Sequence, residues 1–355
     1  MQYWLDRAGA GRLDRVDWGD HRLRGHAAPH RTPPALEDRI LALRRELRTE
    51  SLLGEYGASA IHAALTAGRE PAPCIRTIGR ILARRGAVDG RRRQRRPPPP
   101  PGWHLPAVAT RESELDLFDV VEDLKLAGGP LLDVLTGLSL HGGLPAAWPL
   151  GRATTTTILP RLLAHWQRHG CPAFAQFDND TRFQGPHPHR DVIGRVSRLC
   201  LQLGIAPVFV PPRELGLQNA IEHFNGLFQA KVWRRVRFQS LRAFAAHSAR
   251  YVVALAERRR ARLAAAPARS PYPERWAFDP DQVPLGQLVY IRRTSERGDV
   301  LVLGRRWLVD PYWCQRLVRL ELDLAGGELR SYALRRSAPA EQPVLNVRPY
   351  QPRLH

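Results

Sequence analysis

Leu115-Asp116-Leu117-Phe118-Asp119-Val120-Val121 is the stretch on which the fold turns. Leu115, Leu117, Asp119 and Val121 alternate with Asp116, Phe118 and Val120, the two-residue period of a β-strand. A carboxylate placed mid-strand among apolar neighbours costs free energy unless something compensates its charge. Before this stretch the apolar residues recur at helical spacing. After it the two periods alternate, so it marks the entry to an α/β domain.

Downstream, 131–140 and 144–150 read as strands joined by a Gly142-Gly143 turn, a hairpin. A helix follows over 155–169, with Ile158, Leu162 and Trp166 inward. Next come a strand over 173–178, a helix marked by Val192, Val196, Leu199 and Leu203, and a strand over 205–210 closed by Pro211-Pro212. Ile221, Phe224, Phe228 and Val232 mark one more helix, and an Arg-rich helix fits 241–264. Antiparallel strands followed by alternating elements predict a mixed sheet flanked by helices. Beyond Pro271 short strands over 287–292, 300–303, 307–309, 317–322 and 328–334 predict a small β-barrel domain, 272–336, with an extended tail over 337–355.

Upstream, Leu36, Ile40, Leu43 and Leu47 lie on one helical face behind the entry Thr32-Pro33-Pro34. Shorter helices fit 58–65, stopped by Gly68, and 74–84, with Ile75, Ile78 and Leu82 inward and Gly86 as the stop. Three helices with a short turn before the last predict a helix-turn-helix DNA-binding domain over 32–90. Its third helix presents Arg76, Thr77, Arg80 and Arg84, suited to phosphates and base edges. An ordinary three-helix bundle with a solvated Arg face fits the same pattern. Residues 1–31 read as irregular. Residues 91–111 read as a linker, in which Arg91, Arg92 and Arg93 are placed to track a phosphate backbone before a polyproline spacer at Pro97–Pro101.

The composition agrees with an anionic partner. Lysine and arginine number 54 against 34 aspartates and glutamates, a formal net charge of +20 in 355 residues. Guanidinium groups pair bidentately with phosphate, which points to nucleic acid. A GC-rich genome accounts for Arg over Lys but not for the net excess. No run approaches the roughly 18 consecutive apolar residues of a membrane span. The first residues lack the apolar segment of a secretory signal. The four cysteines, Cys74, Cys171, Cys200 and Cys314, form no C-x-x-C pair, and are expected to be buried thiols in a reducing cytoplasm rather than zinc ligands or disulfides.

Three acids stand out by context: Asp119 mid-strand, Asp178 at a strand tip in Phe177-Asp178-Asn179-Asp180, and Glu222 on a helix beside an apolar stripe. A divalent cation compensates several carboxylates at once. Mg²⁺ prefers oxygen donors and shares its shell with water and phosphate oxygens. Two such ions about 3.5–4 Å apart suit in-line attack on a phosphodiester. Singly, each acid is as readily a strand-end or surface carboxylate.

Residues from about 112 to 265 resemble the integrase core shared by retroviral integrases and the transposases of bacterial insertion sequences. The resemblance rests on Phe118-Asp119 in a first strand, Ser139 downstream, Gly170-Cys171-Pro172 before the strand ending Phe177-Asp178-Asn179, and Phe183 after it. It continues with Gly204-Ile205, Val210-Pro211-Pro212, and Gln218-Asn219-Ala220-Ile221-Glu222-His223-Phe224-Asn225. It implies an RNase H-like fold with a mixed five-stranded sheet. The implied catalytic and metal-binding triad is Asp119, Asp178 and Glu222, with two Mg²⁺ (or Mn²⁺) ions.

By the same resemblance Asn179 supports the strand-end turn, and Gln218 and Asn225 contact DNA. The expected partners are double-stranded DNA, as element ends and target, and further copies of the chain, in a bacterial cytoplasm at the nucleoid. Asp180 replaces the family's usual glycine, and Thr136 stands where the family usually has an Asp. The aromatic-Gln pair usual before the first Asp is absent, which leaves Asp116 as a rival to Asp119. The expected activity is Mg-dependent 3′-end cleavage and strand transfer. The alternatives are a repurposed, inactive DNA-binding protein and a nuclease for RNA–DNA hybrids.

Overall fold

The structure, a computed structural model, describes residues 2–9, 12–16, 32–88, 100–186, 189–211, 214, 216–336 and 338–351. The chain forms two compact units, Met1–Arg93 and Gln94–His355. Arg91, Arg92 and Arg93, expected to bind DNA, lie outside the described residues.

The first unit opens with helix α1, Gln2–Ala8, and a 3₁₀ turn, Leu13–Arg15, where irregular chain was expected. No glycine or proline interrupts the chain before Gly9, so a helical turn can form there. The three predicted helices follow as α2, Pro34–Glu50, α3, Ala58–Ala67, and α4, Ile75–Arg84. Proline at the first position of α2 has a fitting φ and sacrifices no helical hydrogen bond. Ile40, Leu43, Ile61, Leu65, Ile78, Ile81 and Leu82 form one core. Each such side chain contributes about 1.5–3 kcal/mol on burial. Ile75, expected inward, is 47% exposed. It is the first residue of α4, and the face formed by Ile78, Ile81 and Leu82 fills the core instead.

In the second unit, α5, Pro106–Ala109, precedes strands β1, Leu115–Lys125, β2, Leu131–Ser139, and β3, Pro145–Leu150. Trp103, Leu105 and Val108 are buried, so the end of the expected linker belongs to this unit's core. Then come α6, Thr155–His169, β4, Phe174–Phe177, α7, Thr181–Gln184, α8, Arg195–Gln202, and β5, Ala206–Phe209. Helix α9, Asn219–Phe228, runs into a π-turn, Gln229–Trp233, and α10, Leu241–Arg258, is followed by α11, Arg260–Ala264. The C-terminal strands are β6, Gln287–Arg293, β7, Asp299–Val302, β8, Arg305–Leu308, β9, Leu317–Asp323, β10, Glu328–Ala333, and β11, Val344–Pro349.

The sheet is larger than the five strands expected. Among the described residues nine strands are hydrogen-bonded in the order β11-β10-β9-β6-β5-β4-β1-β2-β3, and β7 and β8 pair separately. β1, β2 and β3 are antiparallel, while β1, β4, β5 and β6 run parallel. The C-terminal strands therefore prolong the core sheet through β5 and β6, where a separate small β-barrel was expected. The cause is a shared hydrophobic face. Phe118, Phe177, Phe209 and Tyr290, one from each parallel strand, follow one another with ring centroids 5.6, 6.1 and 5.4 Å apart. Stacking Tyr290 on Phe209 removes both rings from water. Strand β11 lies in the predicted extended tail, where its exposed edge position leaves little alternation to read.

Candidate active site

Side chains alternate across a strand, so each residue after the aromatic row points to the other face of the sheet. Leu117 pairs with Gln176 in the parallel β1–β4 register. Continuing that register by two residues brings Asp119 level with Asp178, on strands roughly 4.8 Å apart. Phe118 stacking on Phe177 fixes the same alignment from the opposite face.

Helix α9 supplies Glu222 and is tied to these strands at two points. Gln176 Nε2 donates to the carbonyl of Leu217, 3.0 Å away, just before the helix. Asn225 Nδ2 donates to Asp119 Oδ2 at 2.7 Å. Gln218 caps the helix with its carbonyl, which accepts from Glu222 N at 3.0 Å. Asn225, expected on DNA, is thus buried against Asp119, with its own Oδ1 lacking a partner.

Asp119 is half-buried, and its Oδ1 accepts from Val120 N at 2.9 Å. Burial lifts its carboxyl to about 6, and the fields of Asp178 and Glu222 push the same way, against the lowering effects of Val120 N–H and Asn225. Burial also raises Asp178, reinforced by Asp180 and Glu122 and opposed by the Asp180 N–H and Arg182. Glu222 is exposed. Asp119 therefore feels the charges of both other predicted acids. Among the described residues, however, no group of three or more His, Cys, Asp or Glu side chains is drawn close enough to enclose a metal ion.

Two acids brace the turn after β4. Asp178 Oδ1 accepts from Asp180 N at 3.1 Å, and Asp180 Oδ1 accepts from Arg182 N at 2.7 Å, capping α7. Arg182 also pairs with Asp180 at 2.5 Å and with Glu122 of β1 at 2.8 Å. Glu122 and Arg182 were missed in the sequence, since neither sits in a motif and their meeting depends on the β1–β4 alignment. Thr136 donates to the carbonyl of Asp119 at 3.0 Å, and Ser139 Oγ accepts from Leu144 N at 2.8 Å to close the hairpin.

Asp116 is set apart from this site. It is 1% exposed and accepts from both Arg269 Nη1, at 3.0 Å, and Trp166 Nε1, at 3.1 Å. Three residues from Asp119, it faces the other side of the sheet. In the first unit Arg76 and Arg80 are exposed on α4, and Thr77 contacts Cys74 Sγ at 3.2 Å. Arg84 instead pairs with the buried carboxylate of Glu37 at 2.5 Å. All four cysteines are free thiols, but Cys74 is exposed and Cys314 half-buried, contrary to expectation. Among the described residues no helix is long and apolar enough to cross a membrane.

No protein-family model and no curated protein matches the sequence. Solved structures that align with this chain include retroviral integrases. The HTLV-2 integrase catalytic core domain in complex with magnesium aligns over 38% of this chain and 81% of its own, at 13% identity and a TM-score of 0.29. The catalytic core domain of BIV integrase aligns over 40% and 82%, at 18% identity and a TM-score of 0.29. A chain of the simian T-cell lymphotropic virus intasome aligns over 82% and 94%, at 13% identity and a TM-score of 0.33.

Proposed function

We propose that this chain is an integrase-type polynucleotidyl transferase that cuts and rejoins double-stranded DNA, with Asp119, Asp178 and Glu222 as its acidic triad. The carrying observation is that the Asp119 carboxyl lies in the combined field of Asp178 and Glu222. A half-buried carboxyl that two other acids make costlier to ionise marks a site that favours a cation. The strand order β3-β2-β1-β4-β5, antiparallel then parallel, is read as RNase H-like.

The donor set fits Mg²⁺ or Mn²⁺ in kind, being hard carboxylate oxygens. Asp119 and Asp178 would hold the metal from the sheet and Glu222 from α9, two ions being expected. When bound, the metal supplies Lewis acidity toward a phosphoryl oxygen and neutralises developing charge. Asn225 positions the Asp119 carboxylate, and Gln176 holds the start of α9 over the strand ends. The capped turn 178–184 keeps Asp178 at the strand tip. The chemistry is hydrolysis freeing a 3′-hydroxyl, followed by attack of that hydroxyl on target DNA. The three-helix unit, acting as a helix-turn-helix through Arg76, Thr77 and Arg80, would find the ends of an insertion sequence. A homo-oligomer would bridge two ends.

Strand transfer by the purified protein in Mg²⁺ is the test. Asp119→Ala, Asp178→Ala and Glu222→Ala should each abolish joining while duplex binding persists. Joining by the triple variant would refute the assignment. A second reading, a DNA-binding protein without catalysis, is favoured by the absence of a closed metal cluster among the described residues. Titration calorimetry with DNA present decides between them: no Mg²⁺ or Mn²⁺ site at millimolar metal supports the second reading.

A further inference from the structure

Asn179, Gln184, His189, Val192 and Arg292 line a cavity of about 330 Å³ at the carboxyl ends of β4 and β6. Open parallel sheets bind ligands at this edge. Phe209 pairs with Tyr290, so Arg292 follows two residues beyond, on the aromatic face of the sheet. Its guanidinium stacks over the Tyr290 ring at 5.0 Å, and Nη1 donates to the carbonyls of Ile291, at 2.8 Å, and Phe209, at 3.1 Å.

Among the described residues no carboxylate pairs with Arg292. The neighbouring Arg293 is already balanced by Glu214, 2.7 Å away. A desolvated cation without a counter-ion is costly, and burial accordingly draws its pKa down to about 10. On the same cavity Gln184 is 6% exposed, and its Oε1 has no partner. A side-chain amide can present either its oxygen or its N–H groups to a ligand.

We infer that this cavity is a phosphodiester-binding pocket in which Arg292, with Gln184 beside it, holds one backbone phosphate of a DNA strand next to the Asp178–Asn179 turn. This rests on the DNA reading above. One uncompensated positive charge matches the single negative charge of a phosphodiester. Planar guanidinium geometry suits two phosphate oxygens. The contact would fix the register of the strand whose phosphodiester reaches the acids on the opposite face of the same edge.

The test uses the full chain and compares the unmodified protein with Arg292→Met, whose stem still covers Tyr290, and with Gln184→Leu, which leaves the cation in place. Duplexes carrying a single methylphosphonate are scanned by fluorescence anisotropy. Arg292→Met should bind about tenfold more weakly at low salt, with a salt slope reduced by about 1. One methylphosphonate position should weaken the unmodified protein and leave Arg292→Met unaffected, and Gln184→Leu should lose affinity at that position too. Unchanged affinity and slope in Arg292→Met would overturn the inference. If the unmodified protein fails to bind duplex, the DNA reading fails instead. Inorganic phosphate then decides the pocket alone: it should raise the Tm of the unmodified protein but not of Arg292→Met, and an equal rise in both refutes it.

Discussion

Asn225 on α9 donates a 2.7 Å hydrogen bond to Oδ2 of Asp119 on β1, joining residues 106 positions apart. The bond places the helix that carries Glu222 against the strand that carries Asp119. It also opposes the rise in the Asp119 pKa that burial and the neighbouring acids cause.

Asn225→Ala should therefore lower strand transfer by about tenfold or more, equivalent to about 1.4 kcal/mol, with little change in duplex affinity. Asn225→Asp should be worse, because it sets another carboxylate against Asp119. Single-turnover joining assays, with anisotropy for binding, measure both. Equal joining rates in all three proteins would show that the tether is idle.

The buried Asp116–Arg269 pair should matter to stability and not to chemistry. Arg269→Met strands a carboxylate that is 1% exposed, and breaking a buried pair in this way costs about 3–5 kcal/mol. Asp116→Asn should be less stable yet join DNA at the normal rate per folded molecule. Urea midpoints and active-fraction-corrected rates check this. A dead but stable Asp116→Asn would restore Asp116 as a rival to Asp119.

Acid should destabilise the second unit through two buried or half-buried histidines. His104 is fully buried and donates from Nε2 to Gln176, because Gln176 Nε2 is committed to Leu217. Burial lowers its pKa to about 4, with Arg319 adding to the effect and the Gln176 bond opposing it. His169 is lowered to about 4 as well, by burial and by His165, Arg168 and Arg269. The unfolded chain gains these protons near 6.5 while the folded one refuses them until about 4. The stability is thus whole above pH 6.5 and falls toward pH 4, by on the order of 3 kcal/mol for His104. His104→Gln should flatten part of the slope in a series of urea midpoints between these pH values. A slope unchanged in that variant would place the acid sensitivity elsewhere.

On α4 the arginines should divide into two classes. Arg76→Ala and Arg80→Ala should each reduce the salt slope of duplex binding by about 1 and leave Tm unchanged. Arg84→Ala should lower Tm, because it leaves the 6%-exposed Glu37 side chain with Arg85 alone, at 3.3 Å. Salt titrations and thermal melts separate the two outcomes. A fall in Tm for Arg80→Ala with an unchanged slope would contradict the division.

Most of the longer elements of both units were legible from residue order alone, and so were the three candidate acids, whereas Gln2–Ala8 and Val344–Pro349 were not. Alternation at 115–121 and helical spacing at 36–47 are local consequences of backbone geometry, and each produced an element where expected. α6 was read with its full span, Thr155–His169, since Thr154 caps it and Gly170 ends it. What remained hidden depends on which strand lies beside which. Parallel pairing sets Asp119 level with Asp178 and joins β6 to β5, and no local pattern encodes a register between distant segments. The same pairing decided that the C-terminal strands extend one sheet, that Asp116 is a buried structural charge, that Arg182 meets Glu122, and that Arg292 stands uncompensated at the strand ends. Charge type is written in the sequence. Whether a charge is paired, buried or left available is set only when tertiary packing chooses its neighbours and removes its water.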